Sequence, residues 1–220
     1  MKPRDYVPGQ ADLDYIEAAA ARIDPALAAI EAAAEPEGIP ILDRASGRVL
    51  SILASGHRSI VEVGTAYGYS TLCMALGQPR DGRIVTIDPD RVRTGLARGW
   101  WRQAGIADER IVVVSRPALE AFAADEPALA GPFDLAFIDA LKPEYGAYLV
   151  ALRPRLATGA LVVADNVLWG GALARPGTAE GDSANAEALR RFNAATLGDE
   201  AFSATILPIG DGLLLAVLRG

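Results

Sequence analysis

Short, strongly apolar runs alternate with helical-period stretches along most of this chain. Strands are predicted over 59–63, 83–87, 110–114, 133–138 and 160–164, and helices over 70–76, 91–104, 118–124 and 144–153 between and after them. Runs that are apolar on both faces, separated by helices, imply a parallel sheet covered on both sides. Ahead of this series, the alanine-rich stretch Ala11–Ala34, with Leu13, Ile16, Ile23, Leu27 and Ile30 at helical spacing, predicts a helix interrupted at Pro25. Residues 1–10, with Pro3, Pro8 and Gly9, are expected to be irregular, and EPEGIPIL at Glu35–Leu42 to form neither element. Asp43 is placed to cap a helix ending near Ala54. After a helix over 183–197, the runs Ala201–Pro208 and Leu213–Leu218 are joined through Gly210-Asp211-Gly212, a connection short enough to force antiparallel pairing. The expected fold class is therefore α/β: a mostly parallel seven-stranded sheet, an antiparallel C-terminal hairpin, and helices on both faces.

Composition narrows the picture. A length of 220 residues with no linker suits one domain over 1–220, with 1–58 as a helical N-terminal region within it. Net charge is −7, which argues against broad electrostatic binding of nucleic acid. The one cysteine, Cys73, falls on the apolar face of a predicted helix and reads as a small core residue. No apolar run reaches membrane-spanning length and the first residues lack a secretory apolar core, so a cytoplasmic location and no membrane partner are expected.

The chemistry concentrates at SIVEVGTAYGYS, Ser59–Ser70, and TIDPD, Thr86–Asp90. The first is a strand, a glycine turn through Gly64 and Gly68, and a helix start near Ser70. Such a unit surrounds a polar ligand with backbone N–H groups and a helix N-terminus. The second strand ends at Asp88, about two dozen residues past Gly64, where an acidic side chain accepts hydrogen bonds from ribose hydroxyls. The glycine spacing departs from the dinucleotide fingerprint, and a carboxylate at Glu62 would repel a pyrophosphate but suits a cation or an amino group. S-adenosylmethionine combines a sulfonium, an amino-acid end and a ribose without phosphate, which makes it the expected ligand and disfavours a nicotinamide dehydrogenase.

Two further strands end in oxygen donors: FDLAFID at Asp139, with Lys142 one helical turn on, and ALVVADN at Asp165-Asn166. Strand-end Asp and Asn commonly serve as turn and cap residues. Their convergence, without His or Cys, equally suits Mg²⁺ or Ca²⁺ and not zinc. Taken together, VEVGTAYGYS, GRIVTIDPD, FDLAFIDALKPEY, LVVADNVLWGG and PIGDGLLLAV resemble the metal-dependent class I O-methyltransferases, the family of catechol and caffeoyl-CoA methyltransferases and their bacterial relatives, over roughly residues 35–218. The resemblance implies a Rossmann-like methyltransferase domain and a divalent metal (Mg²⁺, or Ca²⁺ or Mn²⁺) held by Asp139, Asp165 and Asn166. It also implies cofactor contacts from Glu62, Gly64, Ser70, Asp88 and Asp139, with Ala118 near the adenine and Leu42 at an N-terminal lid. Catalytic roles fall to Lys142, beside the acceptor oxygen, and Asp139. A homodimer is implied as well, with the N-terminal helix or the late hairpin as contact elements.

A phenol has a pKa of about 10, so a bound cation that favours the phenolate, with Lys142 as proton acceptor, would suit methyl transfer to oxygen. The expected acceptor is a catechol-like small molecule. The alternative is 5-hydroxyuridine at the tRNA wobble position, since the bacterial branch includes such enzymes; Arg44, Arg48, Arg175, Arg190 and Arg191 gathered at the pocket mouth would favour tRNA. A non-catalytic cofactor-binding protein is a third reading, opposed by the complete metal triad. Trp169 admits two roles, wall of the acceptor pocket or core and dimer packing. Trp100 and Trp101 read as structural, and His57 as a loop residue. Two departures from the family pattern stand out: Leu141 where many relatives carry a second acid, and Arg116-Pro117-Ala118 where they often read Gly-Asp-Ala.

Overall fold

The computed structural model describes residues 7–20 and 22–220. Seven strands form one sheet in the order β3-β2-β1-β4-β5-β7-β6: β1 Ser59–Val63, β2 Arg83–Ile87, β3 Ile111–Val114, β4 Phe133–Ile138, β5 Leu156–Ala164, β6 Phe202–Leu207 and β7 Leu213–Leu218. The first five pair in parallel, and β7 lies antiparallel between β5 and β6. The sheet is as the sequence pattern predicts. Its helices are α1 Gln10–Ala19, α2 Pro25–Glu37, α3 Arg44–Ala54, α4 Tyr69–Gly77, α5 Arg91–Gln103, α6 Ala118–Ala123, α7 Tyr145–Leu152 and α8 Ala184–Gly198.

Strand parity sorts the core onto two faces. On β1, Ile60 joins the cluster with Ile30, Leu50, Leu72 and Trp101 from α2 to α5. Val61 and Val63 join the opposite cluster with Phe122, Tyr148, Leu152 and Phe192 from α6 to α8. Alternate side chains of a strand point to opposite faces, so Glu62 shares the side of Ile60, beneath α4. Each fully buried Leu, Ile or Phe in these clusters contributes about 1.5–3 kcal/mol of transfer free energy, so the two-sided core is what holds the sheet.

Three boundaries differ from expectation. Pro25 begins α2 rather than interrupting a longer helix: it occupies the first turn, where its missing N–H costs no hydrogen bond, and Asp24 caps it by accepting from Ala26 N at 2.8 Å. That helix runs on through Pro36 to Glu37 and stops at Gly38, which takes the left-handed conformation (φ +61°). β5 starts at Leu156, four residues early: Leu156 pairs with Phe133 of β4 and packs on the core, while exposed Thr158 and Gly159 interrupt the apolar run in the sequence. The expected irregularity of residues 1–10 falls mostly on residues outside those described; 7–9 carry no regular element and Gln10 already belongs to α1.

After β1 the chain fills the sheet outward through β2 and β3, then returns to lay β4 on the other side of β1. That reversal opens a crevice beyond the carboxyl ends of β1 and β4, where ligands of open α/β sheets bind.

Candidate active site

A cavity of about 690 Å³ occupies this crevice. One wall is the turn between β1 and α4. Gly64 has φ +101°, and a Cβ there would collide with the carbonyl oxygen of Asp139 on the neighbouring strand. Gly68, at φ +75°, has no room for a Cβ against the ring of Trp101, whose indole Nε1 donates to Gly68 O at 3.0 Å. Only glycine meets both demands, a positive φ and close approach. Asp88, at the end of β2, braces the same turn: its Oδ2 accepts from Thr65 N (3.1 Å) and Ala66 N (2.8 Å), and its Oδ1 from Asp90 N (2.8 Å). Gly64, Ser70, Asp88, Leu42 and Ala118 all line the cavity.

Glu62 does not line it. Strand parity turns its side chain under α4, where it is completely buried and accepts from Ser70 Oγ at 2.5 Å and from Thr71 Oγ1. Of the residues expected to contact the cofactor, Glu62 is the one set back from the cavity surface: it holds Ser70, which does line the cavity. Burial pushes its carboxyl up to about 7, against the opposing effect of the Ser70 and Thr71 hydroxyls.

The N-terminal segment is tied to the glycine turn by two phenols. Tyr67 Oη donates to Glu37 at 2.6 Å and Tyr69 Oη to Glu31 at 2.9 Å, both on α2. The chain leaving α2 then passes over the cavity through Pro40, Ile41 and Leu42. Neither tyrosine was singled out from the sequence, although both stand inside the glycine motif.

The floor of the cavity carries the acid, amide and lysine side chains. Lys142 Nζ donates to Asp139 Oδ1, Asn166 Oδ1 and Tyr145 Oη, each at 2.7 Å. Lys142 is thus far from a solvated lysine at a helix start: its side chain is 10% exposed and uses all three donors. Tyr145 is fully buried, held edge-on by Phe192, and donates in turn to Asp165 O at 3.1 Å. Burial raises its phenol well above the ordinary range, so it stays protonated. The sequence signal for Tyr145 was its place one turn beyond Lys142.

Asp165 is 3% exposed, and its Oδ1 has no hydrogen-bond partner. Burial, reinforced by the neighbouring Asp139 carboxylate, pushes its carboxyl up to about 7. A buried carboxylate oxygen without a donor calls for a proton or a cation. Two carboxylates and an amide oxygen form a hard donor set that fits Mg²⁺, Ca²⁺ or Mn²⁺. Among the described residues no group of three or more His, Cys, Asp or Glu side chains could hold a metal; the donor set here is two carboxylates and the Asn166 amide oxygen. Lys142 stands against two of the three expected ligands.

Trp169, at φ +52°, lines the cavity and also packs on the core cluster that contains Val167. Leu141 lines the mouth and is 63% exposed, while Pro117 contributes to the wall and Arg116 is exposed outside it. Arg93, not anticipated, is the cavity's cation besides Lys142. The five arginines that would mark a nucleic-acid mouth do not line it. Arg44 and Arg48 pair with Glu17 and Glu31, Arg191 pairs with Glu187, Arg190 binds three carbonyl oxygens and Arg175 binds Gly170 O. His57 bonds Leu53 O and takes no part in the site.

Comparison with known proteins points to one family. The O-methyltransferase family model matches residues 31–219. The chain is 38% identical over 193 residues to a catechol O-methyltransferase of Mycobacterium tuberculosis, covering 85% of this chain and 84% of that protein. It is 33% identical to a catechol O-methyltransferase of Niastella koreensis, with 89% and 90% covered. Among solved structures, the O-methyltransferase TomG from Streptomyces achromogenes, involved in tomaymycin synthesis and in complex with SAM, superposes with a TM-score of 0.82 at 32% identity, covering 94% of this chain and 95% of that one.

Proposed function

The chain belongs to the O-methyltransferase family and is an S-adenosylmethionine-dependent O-methyltransferase of the catechol and caffeoyl-CoA type; from that premise we propose that it methylates a hydroxyl of a catechol-like small aromatic molecule with the help of a divalent cation. The observation that carries this reading is that Asp139, Asp165, Asn166 and Lys142 meet on the floor of the cavity whose wall is the Gly64–Ser70 turn and Asp88.

In this reading Gly64, Ser70, Asp88, Ala118 and Leu42 bind the nucleoside and amino-acid parts of the cofactor, and Glu62 acts through Ser70. Asp139, Asp165 and Asn166 hold the cation. When bound, it would lower the pKa of an acceptor hydroxyl and fix its orientation. Lys142 Nζ, fixed by three oxygen acceptors, is the chain's own group for the acceptor hydroxyl: as an ammonium it stabilises the developing negative charge, and it can take the hydroxyl proton only after releasing one of its own. Trp169 and Leu141 give the acceptor ring an apolar surface.

The ion-paired and carbonyl-bound arginines support a small acceptor over tRNA. No helix among the described residues is long and apolar enough to cross a membrane. One domain over 1–220, a lid and dimer region within 1–58, and a cytoplasmic homodimer complete the proposal.

Transfer of labelled methyl from S-adenosylmethionine tests it, with Mg²⁺ or with chelator, to a catechol panel and to tRNA carrying unmethylated wobble 5-hydroxyuridine. Chelator-sensitive label on catechols is expected. Label on tRNA alone would transfer the assignment to an RNA-modifying enzyme, and transfer undiminished by chelator would remove the cation.

A further inference from the structure

The turn between β6 and β7 approaches the site from outside the parallel sheet. Gly210 leaves no room for a side chain against the carboxylate of Asp43, the residue that caps α3. Gly212, at φ +88°, likewise leaves no room for a Cβ against Leu168. The turn is thus wedged between the N-terminus of α3 and the loop that follows β5. From there its backbone holds that loop: Gly212 O accepts from Val167 N at 3.2 Å and Asp211 O from Leu168 N at 2.9 Å. The Asp211 side chain adds a short bond, with Oδ1 accepting from Gly170 N at 2.6 Å. Its other oxygen faces the Asn166 amide nitrogen at 3.5 Å, while Asn166 Oδ1 accepts from Lys142 Nζ at 2.7 Å on the opposite side.

We infer that Asp211 is a positioning residue, which holds the Asn166 side chain with its amide nitrogen outward and its oxygen turned into the site. An ionised carboxylate only accepts and an ammonium only donates. A flipped amide would set its oxygen against Asp211 and its NH₂ against Lys142, two repulsive contacts in place of two attractive ones. The 3.5 Å separation is long for a hydrogen bond, so the effect on Asn166 is chiefly electrostatic orientation, made possible because the other three bonds fix where Asp211 stands. The matching constraint on the backbone is that Asn166 sits at φ +58°, a conformation tolerated by Asn but costly for most other residues. The consequence for cation affinity rests on the metal reading above; the orientation itself does not.

Two measurements on Asp211→Asn separate these. In metal-free ¹⁵N-labelled protein, the two side-chain amide protons of Asn166 should resonate well apart in wild type and draw together in the variant. The substituted amide retains an oxygen for Gly170 N but presents its own NH₂ to Asn166. Mn²⁺ affinity, followed by the free-ion paramagnetic signal, should weaken by about tenfold, the lower end of the range for outer-sphere partners of metal ligands. Cofactor affinity by calorimetry should stay within about twofold, since the cofactor wall is built from β1 and β2. Combining Asp211→Asn with Asn166→Asp gives the carboxylate a donor again and should recover most of the Mn²⁺ affinity. Unchanged amide resonances in Asp211→Asn overturn the inference, as does a double variant no better than the single one. A wild type that binds no Mn²⁺ would remove the metal reading instead, and the amide resonances would then decide the role of Asp211 alone.

Discussion

Lys142 donates to the amide oxygen of Asn166 at 2.7 Å, across a gap of 24 residues that joins the end of β4 to the end of β5. The same ammonium holds Asp139, so it contacts two of the three oxygens that the cation would use. Like charges at such range repel, and the partly buried setting limits screening. In the proposed function Lys142 would therefore serve the reaction at the expense of cation affinity.

Lys142→Met should bind Mn²⁺ several-fold more tightly than wild type while losing turnover by about 10²–10⁴-fold, the usual contribution of a positioned acid or base. Paramagnetic titration and labelled-methyl assays read the two effects separately. Weaker Mn²⁺ binding in the variant would show that Lys142 and the cation do not compete.

Asp165→Ala should abolish metal-dependent turnover and leave cofactor binding largely intact, because the proposed cofactor residues Gly64, Ser70 and Asp88 are independent of β5. Calorimetry with S-adenosylmethionine and a Mg²⁺ dependence of rate form the test. Equal turnover in wild type and variant at equal metal would remove Asp165 from the site. In the metal-free state above pH 7 the variant should also melt at a higher temperature, since it relieves a buried carboxylate oxygen that lacks a donor.

Glu62 sets a pH dependence of stability. Its carboxyl is raised from 4.5 to about 7 by burial. Between those values the folded protein keeps a proton that the unfolded chain has released. Stability from this group is therefore greatest at and below pH 4.5, declines as pH rises to about 7, and is flat beyond. The full loss is on the order of 3 kcal/mol. Glu62→Gln, which preserves shape and a hydrogen-bond acceptor for the Ser70 or Thr71 hydroxyl, should flatten that slope in urea melts between about pH 5 and 8. A slope equal to that of wild type would assign it to other groups.

Gly64→Ala should lower stability by more than ~1–3 kcal/mol, since it combines a strained positive φ with a collision against the backbone of Asp139. Both the melting temperature and cofactor affinity should fall. Gly146→Ala, in α7 where a Cβ meets nothing, is the control: it should leave cofactor affinity unchanged and hold or slightly raise the melting temperature. A Gly64 variant as stable as wild type would mean that β1 and β4 can separate at no cost.

The chain's own order of residues determined the sheet, because apolar runs of strand length between helical stretches admit few other packings. It also determined that acids and an amide would stand at the ends of β2, β4 and β5, since each directly follows an apolar run. Which of them face one another lay beyond it. The period of two on β1 already turns Glu62 away from Val63, yet only the packed α4 shows that the far side is closed by Ser70 and Thr71. Lys142 and Asn166, and Asn166 and Asp211, are brought together by strand order across β4, β5 and β7, a long-range property that no local spacing encodes. The start of β5 and the run of α2 through Pro36 were settled by tertiary packing too, where contacts outweighed weak local preference. Local chemistry chose the elements and the types of group at their ends; the crossing of the chain from β3 back to β4 chose the company each group keeps.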